Sequence, residues 1–125
     1  MRLALLPGAY AVCRLRPREA VPAWVAGLDG PLVSITRTAE ELSIVAPAAR
    51  VPADVQAEGP WTALAVEGPL DFALVGVLHE LSGVLARAEV STFVLSTYDT
   101  DLLLVRAERA DAAVAALRAA GHEVA

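Results

Sequence analysis

A chain of 125 residues is the length of one ordinary domain or of two small units sharing a core, and a hydrophobic content of 56% supplies ample material to bury. Ten basic residues, all arginine, stand against 15 acidic ones for a net charge of −5, so neither nucleic acid nor an anionic membrane is an expected partner. Cys13 is the single cysteine, which excludes an intramolecular disulfide, leaves a zinc site only two distant histidines and carboxylates to draw on, and fits a reducing cytoplasm.

The opening MRLALLPGAYAVC could imitate a signal peptide, but Pro7 and Gly8 interrupt its apolar run and no cleavage site follows, so it reads as strand. YAVCRLRP (10–17) alternates as a strand and ends in a proline. A two-turn helix is expected over Ala20 to Leu28, with Trp24 and Leu28 on one side, stopped by Asp29-Gly30-Pro31. TRTAEELSIV (36–45) then reads as strand, turn, strand.

TALAVEGP (62–69) is the next strand. A longer helix is expected to start after Gly68-Pro69, with Asp71 near its positive end. Leu74, Val77, Leu78, Leu81, Val84 and Leu85 form its buried stripe, and no apolar run is long enough to span a membrane. Gly76 and Gly83 fall on its far face, which is either solvated or a close contact with another helix. STYDTDLLLV (96–105) is a second hairpin, Ala110 to Ala120 an Ala-rich helix with Val114 and Leu117 inward and Gly121 as its stop, and His122 to Val124 a closing strand.

The chain repeats itself. TRTAEELSIV aligns without gaps on STYDTDLLLV, pairing Glu41 with Asp101, and YAVCRLRP aligns on TALAVEGP. The expected fold class is α+β: two ferredoxin-like βαββαβ units in tandem, residues 1–60 (degenerate) and 61–125, with antiparallel sheets carrying helices on one face. Strands such as Leu102 to Val105 are apolar on both faces, so the second face must also be covered, by the other half of the chain or by another subunit.

Nucleotide and metal fingerprints are missing, no cofactor is implied, and no serine sits in a nucleophile elbow. This shortage of acids, bases and nucleophiles argues against an enzyme; one built on such a sheet would pair His79 or His122 with a carboxylate in a pocket. What remains is binding chemistry. Amides at the helix start near Gly68, Pro69, Leu70 and Asp71 favour a carboxylate or other small anion. Asp99 and Asp101 could accept from an ammonium or guanidinium group; Asp99 with Thr100 is better read as a plain turn, whereas Asp101 directly precedes four apolar residues.

The S-T-Y-x-T-D core of the second hairpin, with a Gly-Pro strand-to-helix loop about thirty residues earlier, resembles the ACT domain family. More narrowly it is similar to small bacterial tandem ACT-like proteins related to the CASTOR arginine sensors. The resemblance is sharpest over Trp61 to Ala120. It implies a regulatory module without catalysis that binds a free amino acid at an interface between ACT units, as a homodimer signalling to an unidentified protein target. Carried over by position, it implies ligand contacts from Gly68, Pro69, Leu70 and Asp71 and from Ser96, Thr97 and Asp101. The first unit has Arg16-Pro17-Arg18-Glu19 where the glycine loop would be. A structural protein keeping the fold without a ligand is the rival reading.

Overall fold

The computed structural model describes residues 1–68, 70–71 and 75–125. Their elements run β1 (Arg2–Leu5), β2 (Tyr10–Leu15), α1 (Ala23–Ala26), β3 (Ser34–Arg37), β4 (Leu42–Pro47), β5 (Ala57–Val66), α2 (Val77–Arg87), β6 (Thr92–Ser96), β7 (Asp101–Arg106), α3 (Ala110–Ala119) and β8 (Glu123–Val124). Single 3-10 turns follow β4 and β7, at Ala48–Arg50 and Ala107–Arg109. The class is α+β and ferredoxin-like. Two compact units divide the chain, Pro7–Trp61 and Met1–Leu6 with Thr62–Ala125; β1 thus folds with the second half of the sequence, where Leu3 and Leu5 pair with Val66 and Leu64 of β5.

In the unit formed by Pro7–Trp61, the strands lie in the order β3-β4-β2-β5, all neighbours antiparallel. Alternation along the strands sends Ala11 and Cys13 of β2 and Leu42, Ile44 and Ala46 of β4 into one cluster with Val25 of α1. The helix expected over Ala20 to Leu28 is only the single turn Ala23–Ala26. Pro22 has an extended ψ of 150° and lies outside it, and Gly27 closes it.

In the other unit the strands lie β8-β1-β5-β7-β6. Leu64 and Val66 of β5 and Leu103 and Val105 of β7 pack against Leu81, Val84 and Leu85 of α2 and Ala113 and Leu117 of α3. Leu102 and Leu104, on the opposite face of β7, are buried as well, so both faces of this strand are covered, which is what its unbroken apolar run requires. Helix α3 stops at Gly121 (φ +94°), and His122 N–H bonds the Leu117 carbonyl across the stop. Helix α2 stops the same way, with Val90 N–H on the Leu85 carbonyl, but here Glu89 takes the left-handed position at φ +59°.

Helix α2 begins at Val77, not after Gly68-Pro69, because Gly76 sits at φ +88° and cannot be part of a right-handed helix. Gly76 therefore precedes the helix and shares no helical face with Gly83. Pro69 and Leu74 lie outside the described residues.

The internal repeat runs in a different register from the one its letters suggest. Thr38 and Thr97 hold equivalent places: each opens a turn with its N–H on the carbonyl three residues on, and each Oγ1 accepts the N–H of that same residue. Strands β4 and β7 and the 3-10 turns after them keep the offset set by these threonines. The gapless sequence alignment is therefore one residue out of step, and in a strand such a slip exchanges the two faces. Glu41 matches Thr100, and the counterpart of Asp101 is Leu42, an apolar core residue. The carboxylate at Asp101 has no counterpart in the first unit.

Candidate functional site

The hairpin β6–β7 closes in regular antiparallel register, from Thr92 opposite Val105 to Ser96 opposite Asp101. Asp101 lies two residues before Leu103, so it shares the face of the sheet that carries the helices. The Ser96 hydroxyl donates to Asp101 Oδ1 at 2.7 Å, which fixes the carboxylate near the sheet and leaves it further acceptor capacity. Thr97 ties the turn from within, its N–H 2.8 Å from the Thr100 carbonyl and its Oγ1 3.2 Å from the Thr100 N–H.

This turn is clamped to the loop after β5. Thr100 Oγ1 donates to the Val66 carbonyl at 2.6 Å, and Leu70 N–H donates to the Asp99 carbonyl at 2.6 Å. Gly68 makes the approach feasible: a Cβ there would stand 2.9 Å from the Asp99 carbonyl oxygen and 3.2 Å from Thr100 Cβ. Glycine is needed for backbone contact with the hairpin, and the Leu70 amide is engaged there rather than offered to a ligand.

Between hairpin, loop and the start of α2 lies a cavity of about 340 Å³. Among the described residues it brings together Leu70, Asp71, Ser96, Thr97 and Asp101 from the sequence reading. Gly68 is not in its lining, and Pro69 lies outside the described residues. Gly76, Val77, Leu78, Tyr98, Asp99 and Thr100 are the other described residues of the wall. Sequence reasoning missed the first three because the apolar spacing from Leu74 to Val77 and Leu78 carries the expected helix past Gly76; a glycine within that expected helix was the one signal that the helix begins there. Asp99 is a turn residue, as its sequence suggests, and also part of the wall.

The electrostatics are two-sided. Gly76 gives α2 no side chain to cap its first amides, and the first intrahelical bond runs from Glu80 N–H to the Gly76 carbonyl at 2.9 Å. The positive end of an 11-residue helix thus meets the cavity at Val77 and Leu78. Asp71, Asp99 and Asp101 share the lining with it, and no basic side chain is in the described lining. A molecule carrying both a carboxylate and an ammonium fits such a field in one orientation.

His122 does pair with a carboxylate, Nε2 lying 3.3 Å from Glu80 Oε1 while Nδ1 lies 3.1 Å from the Met1 amine. It is buried and is not in the lining of the hairpin cavity. Burial pushes the Cys13 thiol and the Tyr10 phenol up from their ordinary pKa values, so Cys13 is held as an inert core thiol. Among the described residues no three His, Cys, Asp or Glu side chains group as a metal site would, and no helix is long and apolar enough to cross a membrane.

A family model described as an ACT domain matches residues 56–119, and a second, describing an N-terminal domain, matches residues 8–54. No curated protein matches the chain. Among solved structures, an Agobacterium tumefaciens protein is 39% identical with a TM-score of 0.91, over 99% of this chain and 91% of its own. A Vibrio cholerae protein, described as of unknown function and as a possible transport protein, is 22% identical with a TM-score of 0.78, over 94% and 88%. The aspartokinase alpha and beta subunits are similar in fold alone, at 14% identity and a TM-score of 0.64 over 96% of this chain and 97% of that one.

Proposed function

The chain belongs to the ACT domain family, whose members are regulatory small-molecule-binding modules, and from that premise we propose that it binds a free amino acid in the hairpin cavity and signals its presence to a partner protein. No catalysis enters this reading. The observation that carries it is that Asp101, held by Ser96, and the start of α2, which has no side-chain cap, line one cavity. The ligand's α-carboxylate sits at the amides of Val77 and Leu78, and its ammonium is received by Asp101 with help from Asp71 and the Thr97 turn. This moves the anion seat from the Gly68 to Leu70 loop to the true helix start. Tandem ACT units and a relation to the CASTOR-like branch belong to the same reading; the shared strand adjacency of the two units supports the first.

A thermal-shift screen of the common amino acids tests it, since a ligand bound only by the folded state raises apparent stability. At least one amino acid should raise the Tm at millimolar concentration, and Asp101→Ala should abolish that shift while the protein stays folded. If no amino acid stabilises the chain, the rival reading stands: an interaction protein that keeps the fold without a ligand.

A further inference from the structure

The corrected repeat brings a second place on the molecule into view. The position equivalent to Ser96 and Asp101 at the end of the first hairpin is held by Arg37 and Leu42, paired across β3 and β4. The strand-to-helix loop beside it reads Arg16-Pro17-Arg18-Glu19 where the other unit has Gly68 to Asp71. The two parts are again clamped together, but by a side chain: Arg37 Nη1 donates to the Pro17 carbonyl, between the two loop arginines. A hollow of about 360 Å³ opens there, lined among the described residues by Arg16, Arg18 and Glu19. Arg16 and Arg18 are exposed, and among the described residues no ion pair joins either to a carboxylate. Leu15 and Leu42 lie in the same row of the sheet as Arg37, so this row carries no acid where the other unit has Asp101.

We propose that the hollow at this basic loop is a second binding site, one for a small oxyanion of the phosphate class. Arg16 and Arg18 supply the primary contacts, their guanidinium groups matching two oxygens of a tetrahedral anion, and Arg37 anchors the loop that carries them. Glu19 shares the described lining, and its carboxylate opposes the anion instead of binding it. The site is independent of the amino-acid cavity. Its residues all belong to Pro7–Trp61, and none lines the hairpin cavity of the other unit.

The test uses the full chain, with inorganic phosphate as probe and chloride at matched ionic strength as control, followed by calorimetry and thermal shift. Phosphate should bind the wild type and raise its Tm, whereas chloride should do neither. Arg16→Gln/Arg18→Gln should weaken phosphate binding about tenfold or more, the loss expected for one charge-assisted bidentate contact. Both arginines are exposed, so the variant keeps the fold, and an unchanged Tm in chloride verifies this. Asp101→Asn should bind phosphate as the wild type does. No phosphate-specific heat or shift in the wild type, or equal binding by the double variant, would overturn the proposal.

Discussion

At the scale of single residues, the account turns on Asp101 and Gly68. The Asp101 carboxylate accepts from Ser96 and borders the cavity, so Asp101→Asn keeps size and hydrogen bonding but removes the charge. Losing a charge-assisted contact of about 2 kcal/mol should weaken the stabilising amino acid by about 30-fold. The fold should be untouched, as circular dichroism and the ligand-free Tm would register. Gly68 acts through space instead. A methyl at Gly68 meets backbone oxygen at 2.9 Å, so Gly68→Ala must lift the loop off the hairpin. It should cost about 2 kcal/mol in denaturant unfolding and weaken ligand binding together with stability. The sequence made Asp101 visible because a carboxylate in front of four apolar residues is unusual. It could not give the residue's partner in the repeat, since a one-residue slip leaves the hydrophobic letters nearly as well matched while exchanging the faces of every strand residue.

At the scale of elements, the two main helices end alike but with different residues. Gly121 occupies the left-handed position after α3 without strain, whereas Glu89 occupies it after α2 at φ +59°. Glu89→Gly should therefore stabilise the protein by about 1 kcal/mol, near 4 °C in Tm. A Tm unchanged or lowered would mean that the Glu89 side chain contributes more than its backbone costs. Gly76→Ala tests the other end of α2. Its Cβ would enter open space, so the expected loss of about 1 kcal/mol comes from the backbone at φ +88° alone. Helix α3 and the second hairpin were legible because their periodicity and stop signals agree with their packing. The start of α2 was not, because the apolar stripe continues through residues that precede the helix, and a period of 3.6 cannot by itself reveal where hydrogen bonding begins. The first helix is shorter than its letters suggest because Pro22, in extended backbone, stands before it and Gly27 closes it one turn on.

At the scale of the whole molecule, the α+β ferredoxin-like plan could be read from the order of strands and helices. The assignment of β1 to the second half of the chain could not, because Arg2–Leu5 pairs with β5 and β8 across most of the sequence. One edge bears on assembly. Strand β6 pairs only with β7 among the described strands, and its TFVLS sequence carries no charge or proline, while Val94 is 38% exposed. An edge so little protected is a template for a second copy. We expect a homodimer in sedimentation equilibrium, and Val94→Lys should shift it to monomer without lowering monomer helicity; a monomeric wild type would count against assembly through β6.

The central claim, a zwitterion held between Asp101 and the start of α2, is tested most directly by amide-resolved NMR titration of the stabilising amino acid into the wild type and Asp101→Asn. The account predicts shifts concentrated at Gly76 to Leu78 and Ser96 to Asp101 that nearly vanish in the variant at the same concentration. Shifts elsewhere with these amides unmoved, or an identical response from the variant, would contradict it.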